Sequence, residues 1–177
     1  TALKEAYASA PTSKLVVDTL ELYHPDFNGE GEFAGDTIRL VRDFTDFSGT
    51  LESTAPRDAS TEVTFTAYAI DFVPPEVGDN PSPAINITID NASADIVRLM
   101  DKVAQSTTPI EVIYRQWLSD DTSVPQNDPP TYMEISRVTA TVNRVTAVAT
   151  IFNFKNKPFP GRKWTTEFSP SLADTPT

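Results

Sequence analysis

Apolar and polar positions alternate along this chain in short blocks, with one exception near its middle. Leu15 to Tyr23 alternates in part, Leu15, Val17 and Thr19 against Val16, Leu20 and Leu22, and then meets His24-Pro25, the pattern of a strand closing in a turn. Gly29, Gly31 and Gly35 predict a loop after it. Thr37–Phe44, Ser48–Ser53 and Thr61–Val73 are rich in Thr, Val, Ile, Phe and Tyr, which suit a pleated, half-buried surface, so each predicts a strand. VPPEVGDNPSP, from Val73 to Pro83, must be an exposed loop, because its prolines cannot donate to a ladder. Ile85, Ile87 and Ile89 then alternate with Asn86, Thr88 and Asp90 in a clear strand pattern. Ile110–Leu118 is apolar on both faces, as expected of a buried strand or of one shared between core and interface. After the loop SDDTSVPQNDPP, Tyr132–Val142 and Val145–Phe154 predict a hairpin turning near Asn143.

The exception is ASADIVRLMDKVAQS, where Ile96, Leu99, Met100 and Val103 recur at helical spacing and form one apolar stripe. Asn91 or Ser93 suits the N-cap, Asp95 the positive end of the dipole, and Pro109 forbids continuation, so a helix over about residues 93–105 is expected. Leu3, Ala6, Tyr7 and Ala10, ended by Pro11, allow a short N-terminal helix. About seven short strands with one long helix predict a mainly β fold, a β-barrel or sandwich flanked by that helix. At 177 residues, with no internal repeat or interdomain linker, one β-rich domain over 1–177 is expected, carrying an extended C-terminal segment, 155–177.

Composition narrows the chemistry. Ten Phe, five Tyr and two Trp are enough for a packed interior. No run approaches the ~20 consecutive apolar residues of a membrane span, and the N-terminus lacks the apolar core of a secretory signal, so synthesis in the cytoplasm and no membrane insertion are expected. Thr1 in place of Met is expected from a removed initiator or a trimmed start. Zero Cys excludes disulfides, thiolate metal sites and Cys nucleophiles, and gives the sequons at Asn86 and Asn91 little weight. A net charge of −11 opposes nucleic-acid and anionic-lipid binding. The charge is also lopsided: residues 1–97 hold 17 acidic and 5 basic side chains, residues 98–177 hold 8 and 9.

Candidate catalytic groups are sparse. His24, the only histidine, would have to serve any Ser-His-Asp triad, yet it precedes Pro25 and reads as a surface or turn residue. A site with two histidines is impossible within one chain. DFNGEGEFAGDT echoes a calcium loop through Asp26, Asn28, Glu30 and Glu32, with Gly31 at the sixth place, but Thr37 stands where a bidentate Glu is needed, so no metal is expected. No phosphate-binding glycine motif occurs, and no cofactor is expected. Carboxylates are abundant enough for a hydrolase pair, the weakest alternative. A carbohydrate-binding sandwich that stacks sugars on Tyr114, Trp117 or Tyr132 is the stronger one.

From Ile135 to Thr166 there is no acidic residue, while Arg137, Arg144, Lys155, Lys157, Arg162 and Lys163 are basic. Overlapping its end, FNFKNKPFPGRKWTTEFSPSL mixes Phe152, Phe154, Phe159, Trp164 and Phe168 with cations and prolines, a composition suited to docking along a surface, on the chain's own acidic half or on a neighbour. Two segments, PAINITIDNASADIVRLMDKVAQSTTPIEVIYRQWLSDD and KPFPGRKWTTEFSPSL, resemble an uncharacterised-domain family of bacteriophage minor tail proteins. In the closing motif the family's Phe-Pro, basic cluster, aromatic and Phe-Pro series is met by Phe159-Pro160, Arg162-Lys163, Trp164 and Phe168, with Ser169 before Pro170. The resemblance implies a non-enzymatic virion protein of the tail tip or baseplate. It also implies a ring, with six copies as the expected number, near the tube-tip junction, in contact with tube, hub or other tip proteins. The expected assembly interface is Lys155, Lys157, Phe159, Pro160, Arg162, Lys163, Trp164 and Phe168.

Overall fold

A computed structural model describes residues 14–28, 33–73, 84–90, 92–104, 106–127 and 129–151. The predicted N-terminal helix and the C-terminal segment lie outside them. The strands are β1 (Val16–Tyr23), β2 (Thr37–Val41), β3 (Phe47–Thr50), β4 (Glu62–Ala67), β5 (Ala69–Phe72), β6 (Ala84–Asp90), β7 (Ile110–Leu118), β8 (Thr131–Ala140) and β9 (Arg144–Ile151), with one described helix, α1 (Ala94–Val103). The fold is mainly β with one helix, as the alternation predicts.

The nine described strands join one mixed sheet in the order β3-β4-β2-β1-β7-β8-β9-β6-β5. Only β2 and β4 run parallel, Leu40 opposite Thr66. Thr61–Val73, expected as one strand, is two: Tyr68 alone separates β4 from β5, and its N–H donates to the carbonyl of Val41 at 3.1 Å. β4 and β5 belong to opposite ends of the strand order, so those ends must come together wherever a single residue spans them. The sheet therefore folds back on itself. Its hydrogen bonding does not close, which makes the sandwich, not the barrel, the form realised.

Between the layers lies the larger core, in which Leu20, Leu22, Ile38 and Leu40 of β1 and β2 meet Ile70, Phe72, Ile85 and Ile87 of β5 and β6. Phe72 and Tyr114 touch edge to face across it, ring centroids 5.3 Å apart. The α1 stripe, Ile96, Leu99, Met100 and Val103, is buried in the same core and packs on β8 and β9. Ser93 is the N-cap, its hydroxyl accepting from the N–H of Ile96.

β7 is buried on both faces because the sheet is covered there from outside as well. The β3–β4 hairpin and the loop 51–61 close over β1, β2 and β7, making a second core of Val17, Val41, Leu51, Val63, Phe65 and Trp117. Gly49 is placed by this contact: a Cβ there would lie 2.8 Å from the Trp117 ring.

Candidate functional site

Side chains of a strand alternate between faces, so on β1, β2 and β7 the outward set is Thr19 and Glu21, Arg39, and Ile113, Arg115 and Trp117. Trp117 is fully buried; its Nε1–H donates to Thr19 Oγ1 at 2.9 Å, and that hydroxyl donates on to the carbonyl of Arg115 at 3.2 Å. Beside it the outward layer turns ionic. Arg115, also fully buried, donates through Nη1 to Glu21 at 2.9 Å and through Nε and Nη2 to both oxygens of Glu52, each at 2.9 Å. Glu21, no more exposed, also takes Arg57 Nε at 3.3 Å and faces Arg39 Nε at 3.6 Å. Arg57 stacks on Tyr23, 3.8 Å from the ring centre, and its Nη1 reaches Glu111 at 3.0 Å.

Burial disfavours the charged guanidinium of Arg115, but the hydrogen bond to Glu52 and the charges of Glu21 and Glu52 outweigh it and hold its pKa above the ordinary value. The loop that supplies Glu52 and Arg57 is itself strained: Asp58 and Ser60 have φ of 49° and 58°, in the left-handed region. Asp58 is held there by an ion pair with Arg39. The network thus staples the loop 51–61 to the sheet. Both carboxylates accept hydrogen bonds from Arg115.

What the network presents outward is a negative rim. Glu111 and Asp58 are each 52% exposed. Glu134 of β8 lies directly opposite Glu111, is half-buried and has no ion pair among the described residues. Tyr132, on the same face of β8 as Glu134, is 38% exposed; partial burial and the nearby Glu52 push its phenol pKa up, with Arg115 opposing. On the other face a groove of about 380 Å³ opens between the C-terminal end of α1 and the start of β7, walled by Val103, Pro109, Ile110, Ile135 and Val138, with Arg137 at its side. Arg137 has no ion pair among the described residues.

The expected interface residues Lys155, Lys157, Phe159, Pro160, Arg162, Lys163, Trp164 and Phe168 lie outside the described residues. Of the aromatic trio, Tyr114 and Trp117 are core and only Tyr132 reaches the surface. His24 does sit in a turn, but it is buried rather than on the surface: Nε2–H donates to Thr108 O at 3.2 Å and Nδ1 accepts from the N–H of Asp26 at 3.0 Å, so both nitrogens are used to close the turn. Asp26 and Asn28 of the calcium-like loop are described, whereas Glu30, Gly31 and Glu32 are not; no metal-holding cluster occurs among the described residues. Sequence reasoning missed the arginine network. Its signal was the charged residue inside two apolar runs, Glu21 in LELY and Arg115 in IEVIYRQWL, since a charge buried in a strand demands a partner.

Residues 2–164 match the family described as a domain of unknown function, DUF1833. The chain belongs to the DUF1833 family. No curated protein matches the sequence. The DUF1833 match takes in the first half of the closing motif, through Trp164, and ends before Phe168. It also contains every member of the arginine network. None of the described helices of this DUF1833 protein is long and apolar enough to cross a membrane.

Proposed function

We propose that this DUF1833 protein is a non-enzymatic structural component of the tail tip or baseplate of a long-tailed bacteriophage, forming a ring near the junction of tube and tip. The observation that supports it is how charge is spent. Every described Lys and Arg except Lys102 and Arg137 has a carboxylate of the same chain within 4.0 Å. Carboxylates such as Glu62, Asp71, Asp101 and Glu134 are left outside any ion pair among the described residues. The body therefore turns negative charge outward, while the acid-free stretch with Lys155, Lys157, Arg162 and Lys163 supplies the positive counterpart. Two different, complementary surfaces on one subunit are what a head-to-tail contact joins, and such contacts close into rings when the rotation allows. The resemblance of KPFPGRKWTTEFSPSL to phage minor tail proteins supports a tail as the setting of that ring, with tube, hub or other tip proteins as its proposed neighbours.

Deletion of residues 155–177 tests this reading. The truncated chain is expected to fold, with unchanged far-ultraviolet circular dichroism, but to be absent from purified virions when it replaces the full chain. Incorporation at the normal level would overturn the role given to the segment.

A further inference from the structure

The outer face of the sheet is covered over β1, β2 and β7, whereas on β8 Tyr132 is 38% exposed and Glu134 half-buried. This strip carries an electrostatic mismatch. Glu111 and Glu134 are direct cross-strand neighbours, and like charges so placed repel. Arg57 compensates Glu111, at 3.0 Å, and no described cation compensates Glu134. Two residues along the strand, on the same face, Tyr132 adds an exposed aromatic edge.

The chain carries a matching sequence. In KNKPFP, Lys155, Lys157 and Phe159 occupy every second position, so an extended chain presents two cations and an aromatic ring on one face. Pro158 and Pro160 cannot donate to a ladder, which favours contact through side chains on a sheet face over pairing at an edge. We infer that the strip of β8, at Glu134, Tyr132 and the neighbouring Glu111, seats the Lys155–Phe159 segment of a second copy of this chain. A second copy is favoured by direction. Ile151 ends β9 opposite Met133, already past Glu134, which faces Thr150. This inference rests on the assembly reading above and names the surface that receives the segment.

The absence of cysteine makes cross-linking a clean test. One full-length chain carries Glu134→Cys and another Lys157→Cys, with Glu111→Cys as a second acceptor position should the first variant fold poorly. Mixed and oxidised, the two are expected to give a disulfide-linked heterodimer whose yield falls at least fivefold in high salt. A mixture in which Lys157→Cys meets Ser119→Cys, away from the strip, is expected to give little. The charge swap Glu134→Lys with Lys157→Glu is expected to restore the self-association that either change alone removes. An intramolecular link in a chain bearing both cysteines, with none between chains, would overturn the second copy as occupant. A full chain that is oligomeric by native mass spectrometry yet gives no link would overturn the inference and leave the ring intact. A chain that stays monomeric at every concentration would overturn both.

Discussion

Replacing Arg115 by Met should destabilise the protein by about 3 kcal/mol, near the lower end of the ~3–5 kcal/mol typical of breaking a buried ion pair from one side. The lower end follows from the geometry. Glu21, with no exposed surface, loses its 2.9 Å bond but keeps Arg57 at 3.3 Å and Arg39 at 3.6 Å. Glu52 loses both its bonds, yet its side chain is 11% exposed and sits on the loop 51–61, which can swing outward. With a urea m-value of about 2 kcal/mol/M, the midpoint should drop by roughly 1.5 M, read by far-ultraviolet circular dichroism. The cause is separable from packing: changing Arg115, Glu21 and Glu52 together to Met, Leu and Leu should recover most of the loss, because no uncompensated charge is left. A single-variant shift below about 0.3 M would refute the reasoning, as would a triple variant no more stable than the single one. Because the folded pKa of Arg115 lies above its ordinary value, its contribution is complete below that value and is lost only as pH rises through the folded pKa, in strong alkali.

Three further outcomes are expected. Gly49→Ala should cost about 1–3 kcal/mol in a thermal or urea melt, since the new Cβ meets a rigid Trp117 ring held by Thr19 and flanked by Phe47. Ser93→Ala should cost about 1 kcal/mol by removing the bond to the Ile96 N–H, and Ser93→Asp should largely spare it, both read from the urea midpoint. Ultraviolet titration of the Tyr132 phenol, assigned by loss of its signal in Tyr132→Phe, should give a pKa above the ordinary value, and Glu52→Gln should lower it; a folded pKa that is raised adds stability below the ordinary phenol pKa and loses it as pH rises.

Elements whose pattern is local were legible in the order of residues alone. Period-2 alternation placed β6 and the β8–β9 hairpin within two or three residues, and the spacing of Ile96, Leu99, Met100 and Val103 with the Ser93 cap placed α1. The two-sided apolar run of β7 correctly announced a strand buried on both faces. Such patterns record how each residue meets its own immediate surroundings, which a one-dimensional reading can recover. What depends on distant partners emerged from the folded chain. The break at Tyr68 leaves no mark in TEVTFTAYAIDFV, because both halves suit a strand; it exists since the chain there passes from one end of the sheet to the other. His24 looked like a surface residue until Thr108, 84 positions away, was brought to its ring. Arg115 and Glu21 are 94 positions apart, and only the β1–β7 pairing, with the loop 51–61 laid over it, turns two isolated charges into a network.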